Sequence, residues 1–389
     1  MSYGDFFSSM TQMIKVLVTG IGMVTAIGQD RETSWANLLS GKSGIELAEI
    51  YGMRVPIARV NNLSSSSQPR VERFIQQAVK EAIDDANLPI LLPDCGVVIG
   101  SSRAYQQEWE KILENRGDHQ GNWLNLLPSS LSGSVAALIQ TQKTVLAPMA
   151  ACASANWSIS QAYELLQTGE CEMSIAGAVD AAITPLSIAG FRRLGSIAKT
   201  GAYPFSRERE GLVLGEGAAV LILETEASMQ RRGHHRSYGQ VLSFGLTNDA
   251  YHPTSPDPNH EQAAIAVKSS LERAGLSTQN IDLINTHGTA TILNDATEAA
   301  LIEQLFPHRP AISATKGATG HALGATGSIE AAFCLMSLQR QILPPCVGMR
   351  SPAFDLNFIK QTQTAKISTA LSFSFGFGGQ NAVIAFGRS

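Results

Sequence analysis

Residues 145–167 read VLAPMAACASANWSISQAYELLQ and combine a strand, a sharp turn and a helix. The apolar run at 145–147 predicts a short strand, and apolar residues from Ile159 to Leu166 recur at helical spacing. Cys152 lies in the turn between the two. That geometry is typical of a nucleophile elbow, and the positive end of a helix dipole favours the thiolate form of cysteine. An ordinary buried cysteine is the alternative, so the rest of the chain must decide.

Length and composition describe a folded protein with more than one compact unit. The chain has 389 residues, of which 44% are apolar and 16% are charged, and its net charge is −4. This charge gives no reason to expect nucleic acid or an anionic membrane as a partner. No apolar run is long enough for a membrane span, and the N-terminus lacks the order of a signal peptide. We therefore expect a cytoplasmic protein with a frayed leader at residues 1–12.

Two kinds of cofactor site are disfavoured by the sequence. The five cysteines are widely spaced and form no CxxC pair or Cys/His cluster, which argues against a disulfide framework and a zinc site. Gly20-Ile21-Gly22 lacks the third glycine of a dinucleotide fingerprint, and no Gly-Lys-Ser/Thr run follows a strand with the needed glycine. Neither a metal nor a nucleotide cofactor is expected.

Strands and helices alternate along the chain, which predicts an α/β fold with mostly parallel sheets. The second half repeats the order of the first, so we predict two related halves, residues 13–235 and 236–389, joined at the polar segment 231–236. The predicted strands are 15–20, 96–100, 173–177, a glycine-broken pair over 211–224, 240–244, 281–285, 312–314, 368–375 and 382–386. The predicted helices are 33–39, 70–87, the helix after Cys152 to about 168, 261–274, 295–305 and 329–339, with a loop at 63–69 and a helical excursion over 103–135.

His287 is a candidate functional residue because it directly follows an apolar strand in the run NTHGTAT at 285–291. The carboxyl end of a parallel strand is where α/β folds place their chemistry. Gly288 leaves room for a ligand, and the hydroxyls of Thr289 and Thr291 can bond an extended polar ligand. The alternative is a core histidine bonded to a backbone carbonyl.

A second candidate turn holds Lys316 and His321, which only small residues separate. Such a turn can bring the ammonium and the imidazole into one pocket. A nearby cation disfavours the imidazolium, and a neutral imidazole can donate a hydrogen bond to a developing oxyanion. In the alternative interpretation, Lys316 is a surface charge and Gly320 is a helix cap.

The run FGFGG at 375–379 follows the last strongly apolar strand. Its glycines allow backbone amides to face a ligand, and one of these amides together with that of Cys152 would make an oxyanion hole. A plain hairpin turn is the alternative. Glu298 and Glu330 fall on the helices after the two histidines, where they either orient pocket cations or are ordinary exposed charges.

Together these groups indicate acyl transfer to a thiolate, followed by carbon–carbon bond formation through an enolate. The chain closely resembles the β-ketoacyl-acyl carrier protein synthases of the thiolase superfamily, in their elongating Cys-His-His branch, from about residue 16 to 386. The motifs that carry the resemblance are VTGIG at 18–22, ACAS at 151–154, GEG at 215–217, THGT at 286–289, residues 316–324 and GFGG at 376–379.

The resemblance implies a duplicated five-layer αβαβα fold, a homodimer or close heterodimer, and an acyl carrier protein as partner. It implies no metal and no cofactor of the enzyme itself, because the phosphopantetheine arm belongs to the carrier. The resemblance implies that Cys152 accepts the acyl group and that His287 and His321 bind the malonyl group and promote its decarboxylation. Lys316, paired with Glu330, would position the histidines. The amides of Cys152 and Phe377 would form the oxyanion hole, Phe377 would act as a gate over the acyl pocket, and Thr289 and Thr291 would contact the phosphopantetheine arm.

The chain departs from the family pattern near the nucleophile and at two other positions. Residues 103–145 lack the Gly-Pro turn that is usual before the nucleophile strand, and the sequence at 142–148 is QKTVLAP instead. Serine stands at Ser206 where aspartate is usual, and Asn294 replaces a glycine. These changes indicate a specialised pathway member rather than the housekeeping fatty-acid enzyme.

Two other functions compete with the condensing enzyme. A non-catalytic partner subunit of the chain-length-factor type would have lost the cysteine, and a coenzyme A-dependent thiolase would carry a second cysteine near 375–379. The chain keeps Cys152 and has no cysteine in that loop. For docking of an acidic carrier, Arg70 and Arg73 are candidates against the more ordinary interpretation of a solvated helix face.

Overall fold

The computed structural model describes residues 13–50, 52–61, 67–114 and 123–389. The predicted leader at 1–12 and residues 63–66 of the predicted loop lie outside the described residues. The helices are α1 (Arg31–Leu39), α2 (Arg70–Asp85), α3 (Gln106–Glu114), α4 (Ser130–Ile139), α5 (Ser154–Gln167), α6 (Pro185–Arg193), α7 (Glu226–Arg231), α8 (Glu261–Arg273), α9 (Ile292–Leu305), α10 (Lys316–Thr319) and α11 (Thr326–Arg340). None of the helices in these ranges is long and apolar enough to cross a membrane.

The strands form one large sheet and two small ones among the described residues. They are β1 (Val16–Val24), β2 (Glu46–Ile50), β3 (Met53–Ala58), β4 (Cys95–Gly100), β5 (Val145–Leu146), β6 (Met173–Asp180), β7 (Leu214–Gly215), β8 (Gly217–Thr225), β9 (Gly239–Asn248), β10 (Leu283–Asn285), β11 (Ala311–Ser313), β12 (Ile342–Leu343), β13 (Gln363–Thr364), β14 (Thr369–Gly376) and β15 (Gln380–Gly387). The ten strands of the large sheet follow the order β11-β10-β14-β15-β9-β1-β8-β6-β4-β5.

The prediction of mostly parallel sheets was wrong. The parallel pairs of the large sheet are β11–β10, β10–β14, β6–β4 and β4–β5, and its five central neighbouring pairs are antiparallel. Helical crossovers produce the parallel pairs at the two ends. The three residues between β14 and β15 are too few for a crossover, so these strands form an antiparallel hairpin.

The two halves of the large sheet repeat the same strand arrangement. β1, β8, β6, β4 and β5 run outward from the centre on one side, and β9, β15, β14, β10 and β11 run outward on the other. The two sets join where Val16–Val18 pairs with Gly239–Val241. The fold is therefore the duplicated thiolase-like α/β fold, while the boundary between residues 235 and 236 stays a prediction.

Helix packing produces the five layers. α5 and α11 contact each other and both halves of the large sheet, α2 covers the first half, and α8 covers the second. Every residue of α11 from Thr326 to Leu338 is buried, as expected for a helix enclosed on all sides. In β1, a Cβ on Gly22 would lie 1.8 Å from the carbonyl oxygen of Ala78, so glycine lets α2 approach the sheet closely.

The predictions for residues 211–224 and 103–135 can be compared with the structure. The predicted pair over 211–224 does occur as two strands, but they do not pair with each other: β7 lies parallel to β3 in a small sheet, and β8 belongs to the large sheet. The predicted helical excursion contains α3, a 3₁₀ turn at Trp123–Leu126 and the start of α4, with residues 115–122 outside the described part.

Candidate active site

Cys152 lies at the tight turn that the sequence predicted, two residues before the first residue of α5. Ala151 adopts a left-handed conformation with φ of 48°, which sharpens the turn. The hydroxyl of Ser374 donates to the carbonyl oxygen of Cys152 over 3.0 Å. A Cβ on Gly376 would lie 3.1 Å from the nitrogen of Cys152, so the closing loop depends on glycine to pack against the nucleophile turn.

Burial of Cys152 opposes the thiolate that is predicted from the helix dipole. Cys152 is buried, and burial raises its pKa to about 11. The charge of Lys316 and the backbone N–H of Phe377 oppose this effect but do not overcome it. The proton must therefore leave the sulfur when Cys152 reacts.

The structure brings the two predicted histidines into one cavity with Cys152. The rings of His287 and His321 lie edge to face, with centroids 5.3 Å apart and an angle of 84° between their planes. Burial, followed by the charge of Lys316, holds the pKa of each imidazole well below 6.5. Both rings are therefore neutral at pH 7, as predicted for His321 from its neighbouring lysine.

Hydrogen bonds fix which nitrogen of His287 carries its proton. The ammonium of Lys316 donates to the carbonyl oxygen of His287 and lies 3.5 Å from Nδ1 of the same residue. Because an ammonium group has only donors, Nδ1 must accept, and the proton of the neutral ring is on Nε2. For His321, Nδ1 lies 3.0 Å from the hydroxyl of Thr326, which can donate to it and leave the same tautomer.

Lys316 and Glu330 form a buried ion pair behind the histidines. Nζ of Lys316 lies 2.6 Å from a carboxylate oxygen of Glu330, and both side chains are almost completely enclosed. Burial raises the pKa of Glu330 to about 7, against the opposing effect of Lys316. The alternatives of a surface lysine and an exposed glutamate were therefore both wrong.

Glu298 supports the backbone of the first histidine loop. Its two carboxylate oxygens accept hydrogen bonds from the backbone N–H groups of His287 and Gly288, over 2.6 and 2.8 Å. It is buried rather than exposed, and burial raises its pKa to about 8. The side-chain amide of Asn294 donates to Glu298 and to Asp295, over 3.2 Å in each case.

Thr289 and Thr291 line the same cavity, and their hydroxyl oxygens lie 2.9 Å apart. The residues after Thr291 reach the outer part of the cavity, where Ile292 and Leu293 are exposed. The two threonines therefore lie on the wall that a ligand would pass on its way to Cys152.

The closing loop at 375–379 is a hairpin turn between β14 and β15, and it also covers the nucleophile. Phe377 lines the cavity, and its backbone N–H is directed at the thiol of Cys152. Gly378 and Gly379 have φ values of 80° and 75°, which favour glycine. The two interpretations of this loop are thus compatible.

Comparison with known proteins shows the family of this chain. Residues 13–71 and 58–228 match the family described as "Beta-ketoacyl synthase, N-terminal domain", and residues 238–350 match "Beta-ketoacyl synthase, C-terminal domain". The chain belongs to the β-ketoacyl synthase family. The matched residues of this synthase contain Cys152, His287, Lys316, His321 and Glu330.

Full-length relatives agree with this assignment. The synthase is 33% identical to the 3-oxoacyl-[acyl-carrier-protein] synthase 2 of Staphylococcus aureus (strain MRSA252), over 97% of this chain and 99% of the relative. It is 32% identical to the protein of the same name from Synechocystis, over 96% and 97% of the two chains.

Solved structures share the fold over nearly the whole synthase. One is a ketosynthase complex with a type II polyketide synthase acyl-carrier protein, at a TM-score of 0.92 and 28% identity, covering 97% of this chain and 100% of that one. Another is a β-ketoacyl synthase from Burkholderia phymatum, at a TM-score of 0.89 and 26% identity, with the same coverage.

Arg70, a candidate for carrier docking in this synthase, makes several contacts within its own chain. Its guanidinium pairs with the buried carboxylate of Glu216, donates to the carbonyl oxygen of Val60 over 3.1 Å and lies over the ring of Phe74. These contacts fix the guanidinium of Arg70, whose side chain is 28% exposed. Carrier docking by Arg70 and Arg73 stays a prediction.

Two buried carboxylates of the synthase escaped the sequence analysis. Asp295 accepts from the backbone N–H groups of Phe205 and Ala290, and burial raises its pKa to about 6. Asp180 is completely buried beyond the apolar run of β6. Its place at a strand end was the signal that could have marked it. Among the described residues, no group of three or more His, Cys, Asp or Glu side chains could hold a metal ion.

Proposed function

We propose that this synthase transfers an acyl group from an acyl carrier protein to Cys152 and condenses it with a malonyl carrier by decarboxylation. It is an acyltransferase of the 3-oxoacyl-[acyl-carrier-protein] synthase class. The observation that carries the proposal is that Cys152, His287 and His321 line one cavity, with Lys316 buried behind His287. We place the reaction in the cytoplasm and within fatty-acid or polyketide-type biosynthesis.

The first step is acyl transfer. The sulfur of Cys152 forms a bond to the acyl carbonyl carbon, and the bond from that carbon to the sulfur of the carrier arm breaks. The thiol proton leaves Cys152 and ends on the released arm. The backbone N–H of Phe377, which points at the sulfur, and that of Cys152 stabilise the oxyanion of the tetrahedral intermediate.

The second step is decarboxylation. The bond from the malonyl methylene carbon to its carboxylate breaks, carbon dioxide leaves, and the electron pair moves to the thioester carbonyl to form an enolate. His287 and His321 donate from Nε2 to the enolate oxygen, since their Nδ1 atoms face Lys316 and Thr326. Neutral imidazoles suit this task because each keeps a donor without first binding a proton.

The third step is condensation. The enolate carbon attacks the acyl carbonyl on Cys152, a carbon–carbon bond forms, and the bond from that carbonyl to the sulfur breaks. The sulfur leaves as a thiolate and takes up a proton from solvent, which restores the buried thiol that its raised pKa favours. The product is a 3-oxoacyl group on the second carrier arm.

The substrates are carried on the phosphopantetheine arm of the carrier, so the enzyme needs no cofactor of its own. Thr289 and Thr291 are placed to contact that arm because both line the route to Cys152. The threonine hydroxyls can donate to and accept from the amides of an extended arm. The first solved structure above contains such a carrier protein.

The competing functions lack such support. A chain-length-factor-type subunit has no use for an acyl acceptor, whereas Cys152 is enclosed by the groups that acyl transfer needs. A coenzyme A-dependent thiolase requires a second cysteine in the site. Among the described residues that line the cavity, Cys152 is the one cysteine.

We also propose that the synthase pairs with a second ketosynthase-like chain along β5. Among the described residues, this strand ends the large sheet and pairs on one side only, with β4. Val145 and Met149 are 40% and 55% exposed beside it. The 27% identical ishigamide ketosynthase/chain length factor offers a precedent for a related second chain. Light scattering should give twice the chain mass for the purified protein if the partner is a copy, and V145K should abolish pairing in either case.

Acyl loading followed by intact mass spectrometry tests the proposed function. Wild-type protein incubated with an acyl carrier should gain the mass of one acyl group, and C152A should gain none. C346A serves as a matched control, because Cys346 is also buried but lies outside the cavity, and it should load normally. Undiminished loading of C152A would overturn the assignment.

A further inference from the structure

Three side chains form a stack that leads from the protein surface to the nucleophile. The guanidinium carbon of Arg103 lies 5.8 Å from the ring centroid of Phe191, within the range of a cation–π contact. The ring of Phe191 lies 5.9 Å from that of Phe377, tilted by 34°. Phe377 borders Cys152 in the same apolar cluster. Each member of the stack therefore lies beside the next, and the last one lines the cavity that contains Cys152.

The outer end of the stack is fixed to the backbone around the site. The N–H of Arg103 donates to Asp180 over 2.8 Å, and the same buried carboxylate accepts from Ser101 and from the N–H of Gly324. Within the described residues, the guanidinium itself takes part in no ion pair, which leaves the Phe191 ring as its close contact. Its position over that ring is therefore not dictated by a carboxylate.

The inner end of the stack lies on the hairpin loop between β14 and β15. Phe377 is flanked by Gly376 and Gly378, and the φ of 80° at Gly378 shows a backbone that only glycine adopts easily. The Phe191 ring, in contrast, is buried on α6. A buried ring on a helix thus packs against a ring on a glycine-flanked loop, and the position of the Phe191 ring limits where the Phe377 ring can rest.

We propose that Arg103 is a positioning residue that keeps the Phe377 ring closed over Cys152 by holding Phe191 in place. This inference rests on the proposed function, because it gives Phe377 the role of a gate to the acyl site. Arg103 touches no reacting atom. It acts through Phe191 and lowers the fraction of time in which the gate is open.

The rate of Cys152 alkylation by iodoacetamide, a small neutral reagent, tests this role. R103M removes the cation and keeps an unbranched side chain, so alkylation should accelerate about two- to fivefold, as expected for an exposed cation–π contact. R103K retains the cation and should restore the wild-type rate. R193M removes another exposed arginine, on the helix that carries Phe191, and should change nothing. The adduct is assigned to Cys152 by peptide mass.

Whether R103M speeds or slows the alkylation of Cys152 separates a positioning role of Arg103 from a purely electrostatic one. Removing a positive charge near a thiol raises the pKa of the thiol and slows alkylation, whereas opening the gate speeds it. F191L should accelerate alkylation to a similar degree, and adding R103M to F191L should have no further effect. An unchanged or slower rate in R103M, or equal effects of R103M in both backgrounds, would overturn the proposal.

These outcomes are independent of the proposed chemistry. If wild-type Cys152 accepts no acyl group from a carrier, the proposed function fails while the alkylation comparison still reports on the stack. If loading is normal and R103M leaves alkylation unchanged, only the role of Arg103 fails.

Discussion

Lys316 offers the sharpest test of how the site is built, because its removal should affect stability and chemistry in separable ways. In K316M the carboxylate of Glu330 loses an ammonium at 2.6 Å in a fully enclosed position. Breaking a buried pair by removing one partner costs about 3–5 kcal/mol in the free energy of unfolding. Replacing both partners by apolar residues is often nearly neutral, so K316M/E330L should recover most of that loss.

Decarboxylation by K316M/E330L should not recover, although the stability of this variant does. Both variants lose the donor to the His287 carbonyl oxygen and the ammonium that holds Nδ1 as an acceptor. We expect decarboxylation of a malonyl carrier to fall about 100-fold in each, since small displacements of catalytic groups have effects of that order. Urea unfolding followed by tryptophan fluorescence gives the stability, and carbon dioxide release gives the rate. K80M removes an exposed lysine of α2 and should match wild type in both assays.

The free energy of unfolding should depend on pH through the protonation of Glu330. The pKa of Glu330 is raised to about 7, above the ordinary value of 4.5, so the folded protein holds a proton that the unfolded chain releases. Stability from this group is therefore lost as pH rises through the folded pKa. K316M raises that pKa further, so its deficit should grow from pH 7 to pH 9. The reasoning is refuted if K316M/E330L is no more stable than K316M, or if K316M decarboxylates at the wild-type rate.

Three further predictions concern the histidines and Arg70. H321A should load an acyl group on Cys152 but release no carbon dioxide from malonyl carrier; normal release would exclude the assigned role. Because the pKa values of His287 and His321 lie well below 6.5, the ring nitrogen NMR resonances of both should stay those of neutral imidazole from pH 8 to 6.5, and a protonation midpoint within that range would contradict neutral donors. R70M should lower the free energy of unfolding, as measured by urea unfolding, by about 1–3 kcal/mol by stranding Glu216.

Much of the fold follows from local sequence patterns. The strand, turn and helix around Cys152 and the amphipathic α2 were predictable because each pattern lies within one segment and repeats at the period of its own element. The direction of the central strands was not, since β1 pairs with residues of β8 and β9 that lie 194 to 225 positions away in the chain. Alternation of elements gives no information on the direction in which distant strands pair.

The candidate active site could also be predicted only in part from the sequence. The residue types and their places at strand ends identified Cys152, His287, Lys316 and His321. The burial of Glu298 and Glu330 could not be predicted, because a helix face is enclosed or exposed according to what packs on it. The ion pair of Arg70 could not be predicted for the same reason, since its partner Glu216 lies 146 residues away in the chain.

We propose that one cavity performs both acyl acceptance and decarboxylative condensation. The most direct measurement starts from wild-type protein with an acyl group on Cys152 and adds a malonyl carrier labelled with carbon-13 at the methylene carbon. Mass spectrometry of the carrier should show a 3-oxoacyl product that holds the label, with one carbon dioxide released for each product. Loss of carbon dioxide that leaves the acyl group on Cys152 and yields only acetyl carrier would contradict the account.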